Sequence, residues 1–421
     1  MNKRQVVLVL ALVCLAFVAT YSAGFMTHWL LSDRGYLVHF PPSPPGSAGA
    51  DERERFALFW EAWEILKRDF YGDLPQGQKL PYAAIRGVLA VLGDPYTVLV
   101  EPSPRELERD SLRGHFGGIG AWVKQREDGA ITLSPMPGQP ADRAGVHEGD
   151  VLLTVDGTPV AGLSVDEVVA LVRGPVGSTV RITVRRESTG ETLEFAIRRE
   201  KIETPTVDWR MLEESPGTGY IHISLLGERT EVELLQALRE LRASGAQRLV
   251  LDLRGNPGGL LDIAVRIAGQ FLDGGPVVYE RRKDGSERLY SAQPGGSAVG
   301  MPLVVLVDGG TASGAEVIAG ALQARGRAVL VGEKTYGKGA VQNVYDLSDG
   351  SSLHVTVAKL FTPDHRLIDG NGLEPDETVP YPPEGQAQED PQLRRALELL
   401  QEGTAAPRPL ALVPAEAPGS P

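Results

Sequence analysis

At 421 residues the chain is long enough for two or three domains with proper cores. Its 42% hydrophobic and 23% charged residues are those of an ordinary globular protein, and a net charge of −13 argues against nucleic acid as a partner. The single cysteine, Cys14, excludes an intrachain disulfide and any multi-cysteine metal site.

At the N-terminus, Lys3 and Arg4 precede an uncharged stretch from Gln5 to Ser32. About 20 apolar residues span a bilayer as one helix, so residues 1–32 read as a membrane anchor. The flanking basic residues belong in the cytoplasm, which sends the remaining chain to the extracytoplasmic, periplasmic side. A cleaved signal peptide is the alternative. A cut after Ala23 would leave Tyr21 where a small residue is wanted, which favours an uncleaved anchor. Cys14 reads as an apolar filler, because Val13 is too large for a lipoprotein signal and the cysteine lies mid-segment. Residues 33–52, ending in "PPSPPGSAGADE", are a Pro/Gly-rich linker.

Residues 53–110 form an N-terminal helical region. Phe56, Phe59, Trp60, Trp63, Leu66 and Phe70 recur at helical spacing, predicting a core-facing amphipathic helix over Arg53 to Phe70. A second helix, Tyr82 to Leu92, stops at the turn signal "GDPY". Residues 111–202 hold short strands separated by turns, with one helix, Val165 to Val172: a small β-rich domain. Residues 203–382 alternate strand and helix: "RLVLDLR", a helix from Leu260 to Leu272, "PLVVLVD", a helix after Ser313, then "AVLVGE". That alternation predicts an α/β core with a largely parallel sheet and a site beyond its carboxyl strand ends. Residues 383–421 hold a helix, Pro391 to Leu400, and a Pro/Ala tail from Thr404 expected to be disordered.

Ser313 begins a Ser-x-x-Glu capping box with Glu316, so its plainest role is to cap the helix that follows. A nucleophilic serine needs a base. None of the seven histidines sits in a local catalytic signature, and no G-x-S-x-G elbow occurs. A lysine can serve instead if it is neutral, which requires burial or a cationic neighbour. "VGEKTYGKGAVQ" offers Lys334 and Lys338, with Gln342 four residues beyond the second. On spacing alone both lysines read better as solvated loop charges. "DLRGNPGGLLD" closes a strand with Gly255, Gly258 and Gly259 and opens a helix, exposing backbone N–H groups. A tight turn is its plainest reading and a phosphate loop a weak third. No metal-ligand cluster is apparent, and no cofactor is implied.

In that order, "LDLRGNPGGLLD", "VDGGTASGAEVIAGALQ" and "GEKTYGKGAVQ" resemble the core of the carboxyl-terminal processing proteases, tail-specific serine peptidases with a Ser-Lys dyad. The resemblance extends to "GDPYTVLVEP" and "LFTPDHRLIDGNGLEPDETV", covering roughly residues 55 to 380. It implies a crotonase-like core, with Ser313 as nucleophile, Lys338 as general base and Gln342 orienting the lysine. The implied oxyanion donors are the N–H of Gly314 and one of the paired glycines, Gly258 or Gly259. The chain departs from the family's Gly-Ser-Ala-Ser-Ala-Ser-Glu run with Gly-Thr-Ala-Ser-Gly-Ala-Glu; Gly314 in place of alanine is expected to loosen the loop and tune the rate.

"FGGIGAWVK" followed by "PADRAGVHEGDVLLTVDGTPV" resembles a PDZ domain. By that resemblance Gly117, Gly118, Ile119 and Gly120 are the loop that captures a C-terminal carboxylate, beside a strand edge that pairs with the tail. The expected function is a membrane-anchored extracytoplasmic serine endopeptidase acting on proteins or peptides with free, apolar C-termini. The alternatives are a catalytically idle PDZ scaffold, an acyl-CoA enzyme on a similar core, and a hydrolase using His222, His354 or His365. A homo-oligomer or a regulatory adaptor is left open.

Overall fold

The computed structural model describes residues 50–382 and 389–403. The anchor, all but the end of the linker, and the tail from Thr404 lie outside the described residues. Among the described residues no helix is long and apolar enough to cross a membrane. The chain divides into two compact units between Ile85 and Arg86.

In the first unit, α1 (Ala50–Asp69) begins earlier than the expected Arg53. Its apolar stripe does not face a core: Phe56 is 54% exposed, Trp60 58% and Phe70 55%. Helical periodicity selects a face but supplies no layer to cover it, and the described residues of this unit contain none. The next helix, α2, spans Lys79–Ala90.

The second unit opens with β1 (Val98–Val100) and α3 (Pro102–Arg113), a helix with proline in its first turn and Gly114 as a left-handed C-cap. The β-rich segment follows as β2 (His115–Gly118), β3 (Ala121–Gln125), β4 (Ile131–Pro135), α4 (Pro140–Arg143), β5 (Asp150–Val155), β6 (Thr158–Pro159), α5 (Val165–Val172), β7 (Thr179–Arg185), β8 (Thr192–Arg198) and β9 (Glu200–Glu203). The strands β3-β4-β5-β7-β8 form an antiparallel sheet with β6 hung on β5, while β2 pairs with β9. Ser164 and Glu167 close a capping box on α5, and its buried Val168 joins Leu133, Leu152, Val180 and Ile182 in the core. The short α4 was not legible as a helix.

The α/β part runs β10 (Val207–Met211), β11 (Thr218–Ile223), α6 (Thr230–Ala243), β12 (Arg248–Asp252), α7 (Leu261–Phe271), β13 (Gly275–Arg282), β14 (Glu287–Ala292), β15 (Leu303–Val307), α8 (Gly314–Ala324), β16 (Val329–Gly332), β17 (Ala340–Asp346), β18 (Ser352–Phe361), β19 (Glu377–Thr378) and α9 (Pro391–Glu402). A six-stranded sheet is ordered β10-β11-β12-β15-β16-β19, parallel throughout except at β10. Side chains alternate across it. Leu249, Leu251, Val305 and Val307 join the core that contains Ile263, Ile267, Val317 and Ile318, whereas Val250, Val304 and Leu306 face Leu393, Ala396 and Leu400 of α9. Burial on both faces is why these strands read as unbroken apolar runs.

A second, five-stranded sheet is antiparallel throughout: β1-β18-β13-β14, with β17 also on β18. The expectation of a largely parallel core therefore holds for one sheet and misses the other. In the second, β1 pairs with β18, far along the chain, a partnership that local periodicity does not record.

Candidate active site

Neighbouring strands β12 and β15 end side by side, and the loop after each runs into a helix. Asp308 joins the two loops: its Oδ1 accepts the N–H groups of Gly255, Gly310 and Thr311, each at 2.9 Å. Thr311 Oγ1 donates across to the Leu253 carbonyl at 2.9 Å, and the Ala312 N–H donates to the Asn256 carbonyl at 2.9 Å. These bonds hold Ser313 at φ 53°, ψ −118°. Such left-handed backbone costs a side-chain-bearing residue about 1–3 kcal/mol and persists only where its surroundings impose it.

The capping box at Ser313 is occupied from the glutamate side. Glu316 Oε2 accepts the Ser313 N–H at 2.9 Å, while the serine hydroxyl makes no cap hydrogen bond. The same carboxylate accepts the N–H of Lys338 at 2.9 Å, the N–H of Gly337 at 2.8 Å and the Thr335 hydroxyl at 2.5 Å. Burial pushes the Glu316 carboxyl up, and these four donors oppose that shift. One fully buried side chain thus carries the turn holding Ser313 and the loop holding Lys338.

Lys334 and Lys338 part company here. Lys334 Nζ lies 2.6 Å from Glu374 in an exposed ion pair. Lys338 instead lines a cleft of about 370 Å³ together with Ser313, Gly258, Gly259, Gly314 and Gln342. Among the described residues its Nζ has no hydrogen-bond or ion-pair partner, and it lies 5.5 Å from the Tyr96 ring centroid. The flanking Gly339 is there for space, since a Cβ would fall 2.2 Å from the Asp369 nitrogen. Gln342 donates its Nε2 to the Tyr96 carbonyl.

Of the paired glycines, Gly258 is closest to the serine. A Cβ there would lie 2.8 Å from Ser313 Cβ and from the Gly314 nitrogen. Its own N–H is already donated to Asn256 Oδ1 at 2.8 Å, and the Asn256 amide is anchored on the Ile223 carbonyl. The N–H groups of Gly259 and Gly314 have no partner among the described residues. Leu226 Cδ1 fills the space above Gly314, 2.8 Å from where a Cβ would sit.

The histidines divide similarly. His222 approaches the Arg254 carbonyl at 3.4 Å and His365 stacks on Tyr279. His354 lines the cleft, but its Nε2 is 3.1 Å from Ser352 Oγ and 3.5 Å from Glu108; burial lowers its pKa and Glu108 opposes this. Among the described residues no group of three or more His, Cys, Asp or Glu could hold a metal ion.

The β-rich domain presents its loop between β2 and β3. The Gly117 carbonyl accepts Gly174 N–H at 3.0 Å, that of Ile119 accepts Ala141 N–H at 2.7 Å, and that of Gly120 accepts Met136 N–H at 2.9 Å. Gly118 ends β2, and β3 beyond the loop is an edge strand of its sheet.

Residues 217–379 match peptidase family S41, and residues 131–186 match the PDZ domain. A carboxyl-terminal-processing protease of Picosynechococcus sp. is 38% identical over 386 residues, covering 86% of this chain and 93% of the relative. The chain belongs to the carboxyl-terminal processing proteases of family S41. The carboxy-terminal processing protease CtpA of Bacillus subtilis is 35% identical over 329 residues, 78% of this chain and 70% of that one. The solved photosystem II D1 C-terminal processing protease aligns over 83% of this chain and 98% of its own, at 33% identity and TM-score 0.46. The PDZ match lies within the β-rich segment, from β4 to just past β7.

Four residues of the protease site carried no sequence signal beyond their immediate neighbours. Glu316 reads only as a cap partner, Asn256 as a turn residue, Asp308 as the end of a strand, and Tyr96 as part of a turn. Each also touches a segment far away in the chain (Lys338, Ile223, Gly255 and Gln342 respectively), and spacing does not reveal that.

Proposed function

We propose that the chain is a serine endopeptidase that captures the C-terminal tail of a protein and cuts it through a Ser313–Lys338 dyad. The observation that carries this reading is the single buried carboxylate, Glu316, holding both the Ser313 turn and the Lys338 loop at one cleft. The Lys338 amine takes the Ser313 proton as Oγ attacks the peptide carbonyl. The resulting oxyanion accepts from the N–H groups of Gly259 and Gly314, which have no partner among the described residues, and each such donor supplies about 3 kcal/mol of transition-state stabilisation. The leaving amine takes its proton from Lys338 as the C–N bond breaks. Water, deprotonated by the same lysine, then attacks the ester carbonyl, and as the C–Oγ bond breaks Lys338 returns that proton to Ser313 Oγ. Gly258 serves by lacking a side chain.

In the β-rich segment, the tail's carboxylate would meet Gly117 to Gly120, of which Gly117 and Gly118 end β2 opposite β9 and Ile119 and Gly120 form the loop into β3, and its strand would add to the edge of β3 beside α5. Apolar lining at Leu225, Leu260 and Val344 supports apolar residues in the cleft. We read the core as crotonase-like, supported by the parallel run β11-β12-β15-β16 and its flanking helices. Lys3, Arg4 and the uncharged run to Ser32 support a single-pass anchor with the catalytic part on the periplasmic side.

The test uses the full-length chain and its Ser313→Ala variant with an unfolded protein ending in apolar residues, free or amidated at its C-terminus. Products are read by mass spectrometry. Cleavage by wild type alone, slowed by amidation, is the expected result. Equal cleavage of both substrates removes the tail-capture step, and equal inertness with tail binding retained makes the chain a scaffold.

A further inference from the structure

The turn Gly93–Thr97 has no role in the dyad chemistry described above, yet it reaches both Lys338 and Gln342. Its conformation is fixed by Asp94, whose Oδ1 accepts the Tyr96 N–H at 3.1 Å and whose Oδ2 accepts the Thr97 hydroxyl at 2.6 Å. Thr97 Oγ1 accepts the Thr356 N–H at 3.1 Å, and β1 immediately pairs with β18 in the register Val98↔His354. Because β18 also pairs with β17, the turn is fastened to the sheet that carries Gln342.

From this position Tyr96 makes two contacts. Its carbonyl accepts Gln342 Nε2, across 246 positions of sequence. Only the amide nitrogen can meet a carbonyl, so this bond determines which way round the Gln342 amide lies. Its Oε1 is left as the acceptor. An amine that gives up and regains a proton always keeps N–H hydrogens to donate, and Oε1 is the atom suited to take one. The Tyr96 ring, 5.5 Å from Lys338 Nζ, covers the amine that otherwise has no polar partner among the described residues.

We propose that Tyr96 is a positioning residue of the dyad: its main chain sets the Gln342 amide, and its ring holds the Lys338 amine toward that amide. The inference rests on Lys338 being the base, so Lys338→Ala accompanies the test.

Full-length Tyr96→Leu, which keeps apolar bulk, and Tyr96→Phe, which keeps the ring, are compared with wild type for kcat, KM and pH profile. Tyr96→Leu is expected to lower kcat by about tenfold or more, with KM changed by less than about twofold and the midpoint of the pH profile displaced. Tyr96→Phe is expected to restore most of that rate and the wild-type midpoint. Gln342→Glu, which cannot donate to the Tyr96 carbonyl, is expected to lose as much rate as Gln342→Ala. Equal losses in Tyr96→Leu and Tyr96→Phe, or an unmoved pH midpoint in Tyr96→Leu, overturn the ring's role; wild-type kcat in Gln342→Glu overturns that of the carbonyl. A fully active Lys338→Ala overturns the dyad itself, whatever the Tyr96 variants do.

Discussion

Glu316 accepts the main-chain N–H of Lys338 at 2.9 Å. Its carboxylate does the same for Ser313, so the two groups of the proposed dyad are registered through backbone rather than side chains. Glu316→Gln keeps the shape but turns an amide NH2 toward groups that are all donors. Each buried donor left unpaired costs about 1–3 kcal/mol, so a loss of at least about 2 kcal/mol is expected in urea unfolding. Activity should fall by about a hundredfold, since small misplacements of reacting groups cost that much. A variant of wild-type stability and kcat would show that the carboxylate is incidental.

Gly258 supplies a second prediction. At φ 98° and with only 2.8 Å to Ser313 Cβ and the Gly314 nitrogen, it has no room for a methyl group. Gly258→Ala should reduce kcat by about a hundredfold or more, the scale of losing one oxyanion donor. Substrate-tail binding, measured with the Ser313→Ala background, should be unchanged because the PDZ loop is elsewhere.

Much of this site was legible in the sequence, and the limits have a physical cause. Ser313 and the glycine pair lie where a strand's loop runs into a helix, which leaves a local signature of apolar run, glycine and helix start, while Lys338 sits between glycines just before β17. The roles of Glu316 and Tyr96 depend on partners in distant segments. Lys334 and Lys338 could not be separated by spacing; the exposed pair with Glu374 separates them. The antiparallel sheet was missed because β1 and β18 come together only in the fold, and the exposed stripe of α1 because an amphipathic pattern does not say what covers it.

Lys334→Ala should change stability and kcat very little, as exposed pairs are worth about 0–1 kcal/mol. Lys338→Ala should lower kcat by about 10²–10⁴-fold, the range attributed to a positioned base. Similar kinetics for the two variants would remove the distinction between them.

The PDZ domain carries its own pH dependence. At Asp150, burial alone would raise the carboxyl, but hydrogen bonds from Arg186 and the His147 main chain hold it below the usual range. A depressed folded-state pKa gives stability that is present above the unfolded value, about 3.9, and is lost as pH falls through the folded one. Thermal melts of wild type should therefore lose this stabilisation on acidification below about pH 4. Asp150→Asn should start lower at neutral pH, by about 3 kcal/mol for breaking a buried pair, and converge on wild type in acid. Parallel curves for the two proteins would count against this assignment.

The most direct measurement is covalent labelling of the full-length chain by a fluorophosphonate, with the modified residue mapped by mass spectrometry. The dyad predicts a single adduct on Ser313, formed about a hundredfold or more slowly in Lys338→Ala and at the wild-type rate in Lys334→Ala. Labelling of another serine, or of Ser313 in Lys338→Ala as fast as in wild type, would contradict it.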